Sequence, residues 1–91
     1  MSLNNQESPQ TMTIENMSKM VEYIAKALSD NPDDVKVSTK EDDNQIIISL
    51  ELNEDDKGKV IGKGGRVAES IRSLLRVAAV KSNTRAILEI K

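Results

Sequence analysis

The segment Val60-Ile61-Gly62-Lys63-Gly64-Gly65-Arg66 constrains the fold of this chain more than any other. Glycine has no Cβ, so it tolerates positive φ and lets another backbone approach closely. An apolar pair precedes the glycines and a long amphipathic pattern follows them. The amides that open the following helix are unpaired and lie at the positive end of its dipole. Such an arrangement binds anions, most often a phosphate. Lys63 and Arg66 add positive charge beside it. The loop is suited to holding a phosphodiester backbone.

Two other phosphate motifs nearly fit and fail. A P-loop needs four residues between its first glycine and Gly-Lys, followed by Ser or Thr. Gly58 and Gly62 enclose only three, and Gly64 follows Lys63, so the Mg²⁺-binding hydroxyl is missing. The dinucleotide fingerprint would need glycine where Val67 stands. What remains is Gly-x-x-Gly between two helical segments. Alone, that is also a routine helix–helix turn. In a KH domain the same spacing clamps a short single strand of nucleic acid.

The net charge of −2 conceals a division. Residues 1–56 carry 4 Lys/Arg against 13 Asp/Glu, whereas residues 57–91 carry 9 against 2. Local charge, not the total, sets the field at a site, so the acidic balance does not exclude nucleic acid. With no cysteine and no histidine, disulfides, zinc-thiolate sites and Cys/His nucleophile–base pairs are excluded. No metal or cofactor site and no catalytic residue is expected. The carboxylates sit in turns and a cap, with no apolar pocket to raise a pKa. No apolar run approaches the ~20 residues that span a bilayer, and no signal peptide is visible. A cytoplasmic protein without membrane contact is expected.

Residues 1–12 are polar and aperiodic and predict a disordered tail ahead of one domain at 13–91. Ile14, Met17, Val21, Ile24 and Leu28 recur at helical spacing. Asp30-Asn31-Pro32 stops that helix. Val35, Val37 and Thr39 alternate as a first strand, and residues 41–44 form a turn. Residues 45–52 carry Ile46, Ile48, Leu50 and Leu52 on one face and read as the central strand. Asn53 is an N-cap, with Glu54, Asp55 and Asp56 in the first turn of a short helix at about 54–61. The next helix spans about 65–81, with Val67, Ile71, Leu74, Leu75 and Ala78 as its buried stripe and Arg66, Glu69, Arg72 and Arg76 facing water. Ser82-Asn83 breaks it. Ala86, Leu88 and Ile90 then alternate in a last strand. The order α-β-β-α-α-β predicts a two-layer α+β domain: a three-stranded mixed sheet covered by helices on one face.

This order and the run Gly58–Arg66 resemble the type II KH domain. More narrowly, residues 14–91 resemble the small bacterial single-KH proteins of the KhpA family. The matching segments are Leu28–Asp33, the glycine loop, the helix Ile71–Lys81 and the strand Arg85–Ile90. The resemblance implies a cytoplasmic single-stranded RNA-binding protein that self-associates and pairs with a larger Jag-like KH protein, with RNA-chaperone activity and roles in cell elongation and division. It implies a groove for about four nucleotides. One wall would be Lys59, Val60, Ile61, Gly62, Lys63, Gly64, Gly65 and Arg66; the other would be the strand from Arg85, with residues 81–84 as a short variable loop. Ala68 is smaller than the aliphatic residue many KH domains carry there and would open the groove floor.

Tyr23 is the only aromatic residue and lies in the first helix. Stacking on aromatics, worth ~1–3 kcal/mol per base elsewhere, is therefore absent from the loop and last strand. Weak, salt-dependent, sequence-tolerant binding follows. The competing expectation is a protein–protein module that kept the KH shape, with Ile47 and Ile87 on the uncovered sheet face as its contact surface.

Overall fold

The computed structural model describes residues 14–91. The tail expected over 1–12 lies outside the described residues. Helix α1 (Ile14–Leu28) leads into strands β1 (Lys36–Asp42) and β2 (Gln45–Glu51), the short helix α2 (Lys57–Ile61), the long helix α3 (Arg66–Lys81) and strand β3 (Arg85–Ile90). This is the expected α-β-β-α-α-β order. The sheet order is β1-β2-β3. Central β2 runs antiparallel to β1, with Val37 opposite Leu50, and parallel to β3, with Ile48 opposite Leu88. Among the described residues, no helix is long and apolar enough to cross a membrane.

The core forms where the helical and strand periodicities meet. α1 contributes Met17, Val21 and Ala25; β2 contributes Ile46, Ile48 and Leu50; α2 contributes Val60; α3 contributes Ile71, Leu75 and Ala78; β3 contributes Leu88. Along β2, buried and half-exposed positions alternate. Helices therefore cover one sheet face.

Three local features differ from the sequence expectation. The hairpin is tighter: strand pairing continues through Glu41 and Asp42, leaving Asp43-Asn44 as the turn, with Asp43 at φ 54°. Aspartate tolerates that left-handed conformation better than most residues. The helix expected over 54–61 divides into a 3₁₀ turn, Glu54–Asp56, and α2. Asn53 caps the turn, its Oδ1 accepting from the Asp55 N–H at 2.8 Å. On α3, Leu74 is not part of the buried stripe: it is 52% exposed, while Ala68 and Ala79 are buried instead. At about 100° per residue, Ala68, Ile71, Leu75, Ala78 and Ala79 fall within an arc of about 100°, and Leu74 lies outside it. Ala68, expected at the groove floor, is 2% exposed.

Candidate nucleic-acid interface

The glycine loop is a single 3₁₀ turn, Lys63–Gly65, wedged between α2 and α3. The Gly62 N–H ends α2 by donating to the Gly58 carbonyl at 2.8 Å. The Gly65 N–H donates to the Gly62 carbonyl at 3.0 Å, and the Arg66 N–H to the Lys63 carbonyl. The amides of Lys63 and Gly64 find no backbone acceptor among the described residues. Both side chains flanking the turn, Lys63 and Arg66, are exposed. Two such donors at the start of a 16-residue helix, beside two cations, have the chemistry to accept an anion.

The glycines differ in why they are needed. Gly62 sits at φ 82°, ψ 168°, a region only glycine occupies readily. A Cβ there would also lie 2.5 Å from Val67 Cγ2 and 2.8 Å from the Val67 backbone nitrogen. Gly64 at φ 65° and Gly65 at φ 77° have left-handed backbones but open space where a Cβ would be. Gly62 thus lets the loop pack against α3, whereas Gly64 and Gly65 shape a surface left free for a ligand.

The remaining expected site residues are dispersed. Val60 is completely buried and is core. Ile61 is 37% exposed and presents an apolar surface beside the loop. Lys59 turns away from the loop to pair with Asp30 and stands 4.0 Å from Asp56. Arg85 follows the C-terminal end of α3, and a 16-residue helix is about 24 Å long. Arg85 therefore lies at the opposite end of that helix from Lys63. There it lines a cleft of about 310 Å³ with Arg76, Val80, Thr84, Ala86 and Ile87. Arg72 and Arg76 are exposed along α3, and Arg76 also lies 3.8 Å from Glu69.

The sequence places Asp56 with Glu54 and Asp55 in the first turn after the Asn53 cap. Asp56 is fully buried. Its carboxylate accepts from the Asp30 N–H at 3.1 Å, the Asn31 N–H at 2.9 Å and the Asn31 side-chain amide at 3.2 Å. Burial is the largest influence on this carboxyl and raises its pKa. The Asn31 and Asp30 amides, the Asn31 side chain and the Lys59 charge together outweigh burial and hold the pKa below the ordinary carboxylate value. For Lys59, the hydrogen bond to Asp30 is the largest influence and raises its pKa; partial burial opposes this, and the Asp30, Asp56 and Asp55 charges reinforce it.

Known proteins match this arrangement closely. A family model described as KhpA/KhpB, KH domain, matches residues 18–90. RNA-binding protein KhpA of Clostridium acetobutylicum is 47% identical over 74 residues, covering 81% of this chain and 99% of that protein. The protein of the same name from Caldanaerobacter subterraneus is 50% identical over 74 residues, with the same coverage. The Bacillus subtilis protein is 38% identical over 79 residues, covering 87% of this chain and 98% of its own length. Among solved structures, Aquifex aeolicus Era bound to GDP·AlF4− superposes with a TM-score of 0.52 at 21% identity, covering 93% of this chain and 31% of that one. That likeness concerns the fold alone. On the family match and the full-length relatives, this chain belongs to the KhpA/KhpB KH-domain family.

Proposed function

We propose that this protein binds single-stranded RNA, holding its backbone at the glycine loop. The observation that carries the reading is that the Lys63 and Gly64 amides, beside the exposed Lys63 and Arg66 side chains, have no backbone acceptor among the described residues. Phosphates meet these donors first. The strand then follows α3 toward the cleft that Arg76 and Arg85 line, a path suited to about four nucleotides. Ile61, Val80 and Ile87 offer aliphatic contacts to bases. Because Tyr23 lies on α1, away from this path, binding is weak and tolerant of sequence, as an RNA chaperone in the cytoplasm requires. The relatives named RNA-binding proteins support the ligand class. No catalytic step is part of this role.

The test is fluorescence anisotropy with short single-stranded RNAs at low salt, comparing the wild type with the double variant Lys63→Asp, Gly64→Asp. Gly64 has open space and a left-handed φ that aspartate accepts, so the variant should fold. Loss of binding in the folded variant supports the reading, and undiminished binding refutes it.

A second reading is favoured by the uncovered sheet face, where Ile47 and Ile87 stand in register and Ile87 is 38% exposed. There the domain would pair with a second copy or a larger Jag-like KH protein. If so, Ile47→Asp abolishes association in light scattering and leaves RNA binding intact.

A further inference from the structure

The glycine loop hangs on a helix that cannot stand alone. α2 has five residues, and a helix that short is not stable by itself in water. Two features hold it. Val60 is buried in the core. Asp56, immediately before α2, is buried and gathers three hydrogen bonds from Asp30 and Asn31, residues that follow α1. Lys59, one turn into α2, closes the same junction by pairing with Asp30. The end of α1 is thereby fastened to α2, and α2 passes through the Gly62–Gly58 hydrogen bond directly into the loop. Hydrogen bonds to a carboxylate are charge-assisted, and leaving such a buried carboxylate or its donors unpaired is costly. All of these groups are engaged with one another at the junction of α1 and α2.

We propose that Asp56 is a positioning residue for the glycine loop, fixing through α2 the direction of the Lys63 and Gly64 amides, and that Lys59 acts on RNA through this clamp rather than by touching phosphate; this presupposes the RNA-binding role above. The two kinds of residue leave different signatures. A lysine that neutralises a phosphate contributes to the salt dependence of binding, and losing it reduces the log–log salt slope by roughly 0.7 for a single strand. A positioning residue alters affinity while the number of neutralised phosphates stays the same.

The experiment compares Asp56→Asn, Asn31→Ala, Lys59→Met and Lys63→Met by two measurements. The first is the ¹H–¹⁵N spectrum of each RNA-free protein. Asp56→Asn should shift the amides from Ile61 to Gly65 and leave those of Ile48 and Leu50 in place; Asn31→Ala, which removes one donor only, provides a milder form if Asp56→Asn fails to fold. The second is the affinity for a single-stranded RNA over a range of salt. Asp56→Asn and Lys59→Met should keep the wild-type slope, with Asp56→Asn weakening binding by roughly tenfold as charge-assisted hydrogen bonds are lost. Lys63→Met should lower the slope. Unmoved loop amides in both clamp variants overturn the positioning role of Asp56, and a reduced slope in Lys59→Met overturns the indirect role of Lys59. If the wild type binds no RNA, the RNA-binding reading fails on its own, and the RNA-free spectra still decide whether Asp56 positions the loop.

Discussion

Replacing Gly62 with alanine should damage this protein far more than the same change at Gly64 or Gly65. At φ 82°, ψ 168°, a non-glycine residue carries about 1–3 kcal/mol of backbone strain. The new Cβ must also displace Val67, whose Cγ2 lies 2.5 Å away and whose backbone nitrogen lies 2.8 Å away. A backbone atom cannot rotate aside, so overpacking adds about 1–3 kcal/mol. The sum, about 2–6 kcal/mol, is a large fraction of the ~5–10 kcal/mol that stabilises a domain of this size. At Gly64 and Gly65 no atom stands within 4 Å of the built Cβ. There the left-handed penalty of about 1–2 kcal/mol is partly offset by the lower entropy of the unfolded chain. Urea denaturation followed by far-ultraviolet circular dichroism measures all three, since the chain has no tryptophan to report by fluorescence. With a slope near ~1 kcal/mol per molar urea, Gly62→Ala should lower the midpoint by about 2 M or more. Adding Val67→Ala should restore part of the loss by removing Cγ2, but not all, because Val67 Cβ and the backbone nitrogen remain at 2.8 Å. A Gly62→Ala variant within about 1 kcal/mol of wild type, or no less stable than Gly64→Ala, would refute this account of the loop.

Leu75→Ala should cost about 2–5 kcal/mol because Leu75 is fully buried, whereas Leu74→Ala, at a half-exposed position, should change the urea midpoint little. The Asp56 carboxyl is held below its ordinary value of 3.8 in the folded state, so its charge contributes stability above that pH and the contribution is lost as pH falls through the depressed value. Thermal melts of wild type should thus lose stability on acidification below about pH 3.8, and Asp56→Asn, less stable at neutral pH, should show a flatter acid limb; parallel limbs would refute the assignment. The Lys59 pKa is raised above 10.5, so its stabilising charge is present below that pH and lost above it; in a Lys59→Met variant the alkaline limb should be flatter. With about 2–4 phosphates neutralised, the log–log salt slope of RNA binding should be roughly −1.5 to −3, and a flat salt response would contradict phosphate recognition by the loop.

The element order was legible because the periods of helix and strand are clean in this chain. Ile14, Met17, Val21, Ile24 and Leu28 mark one helix, although the structure buries Ala25 and leaves Leu28 39% exposed, and Ile46, Ile48 and Leu50 mark one strand face. The loop was legible because glycine spacing is a backbone signal, independent of tertiary partners. Features that depend on distant residues were not. Glu54, Asp55 and Asp56 form one acidic run in sequence; only the Asp30 and Asn31 donors, 26 and 25 residues away, set the third apart from the others. Lys59 carries the same sequence signal as Lys63, and only the fold brings Asp30 beside it. In β1, pairing with β2 carries the strand through charged Glu41 and Asp42, so backbone hydrogen bonds outweigh side-chain preference at an exposed edge. On α3, a leucine drew more weight than the alanines at 68 and 79, although the helical phase places the alanines inside.

The charge division along the chain becomes a division across the molecule because of this topology. The strand order follows the chain order, α1 packs on β1 and β2, and α3 packs on β3. The acidic sequence up to Asp56 therefore builds one side of the domain, and the basic sequence from Lys57 builds the other. The two sides meet at the clamp, where Asp56 and Asp30 face Lys59. Lys63, Arg66, Arg72, Arg76 and Arg85 then belong to α3, β3 and the loop, with Glu69 and Glu89 as the only acids in that part of the chain. A polyanion approaching this protein meets repulsion from one side and attraction on the other, so a chain of net charge −2 can still orient RNA along α3. Orientation of this kind governs encounter and is screened by salt. In the proposed role, holding the strand in register falls instead to the Lys63 and Gly64 amides of the loop, which Gly62 packs against Val67.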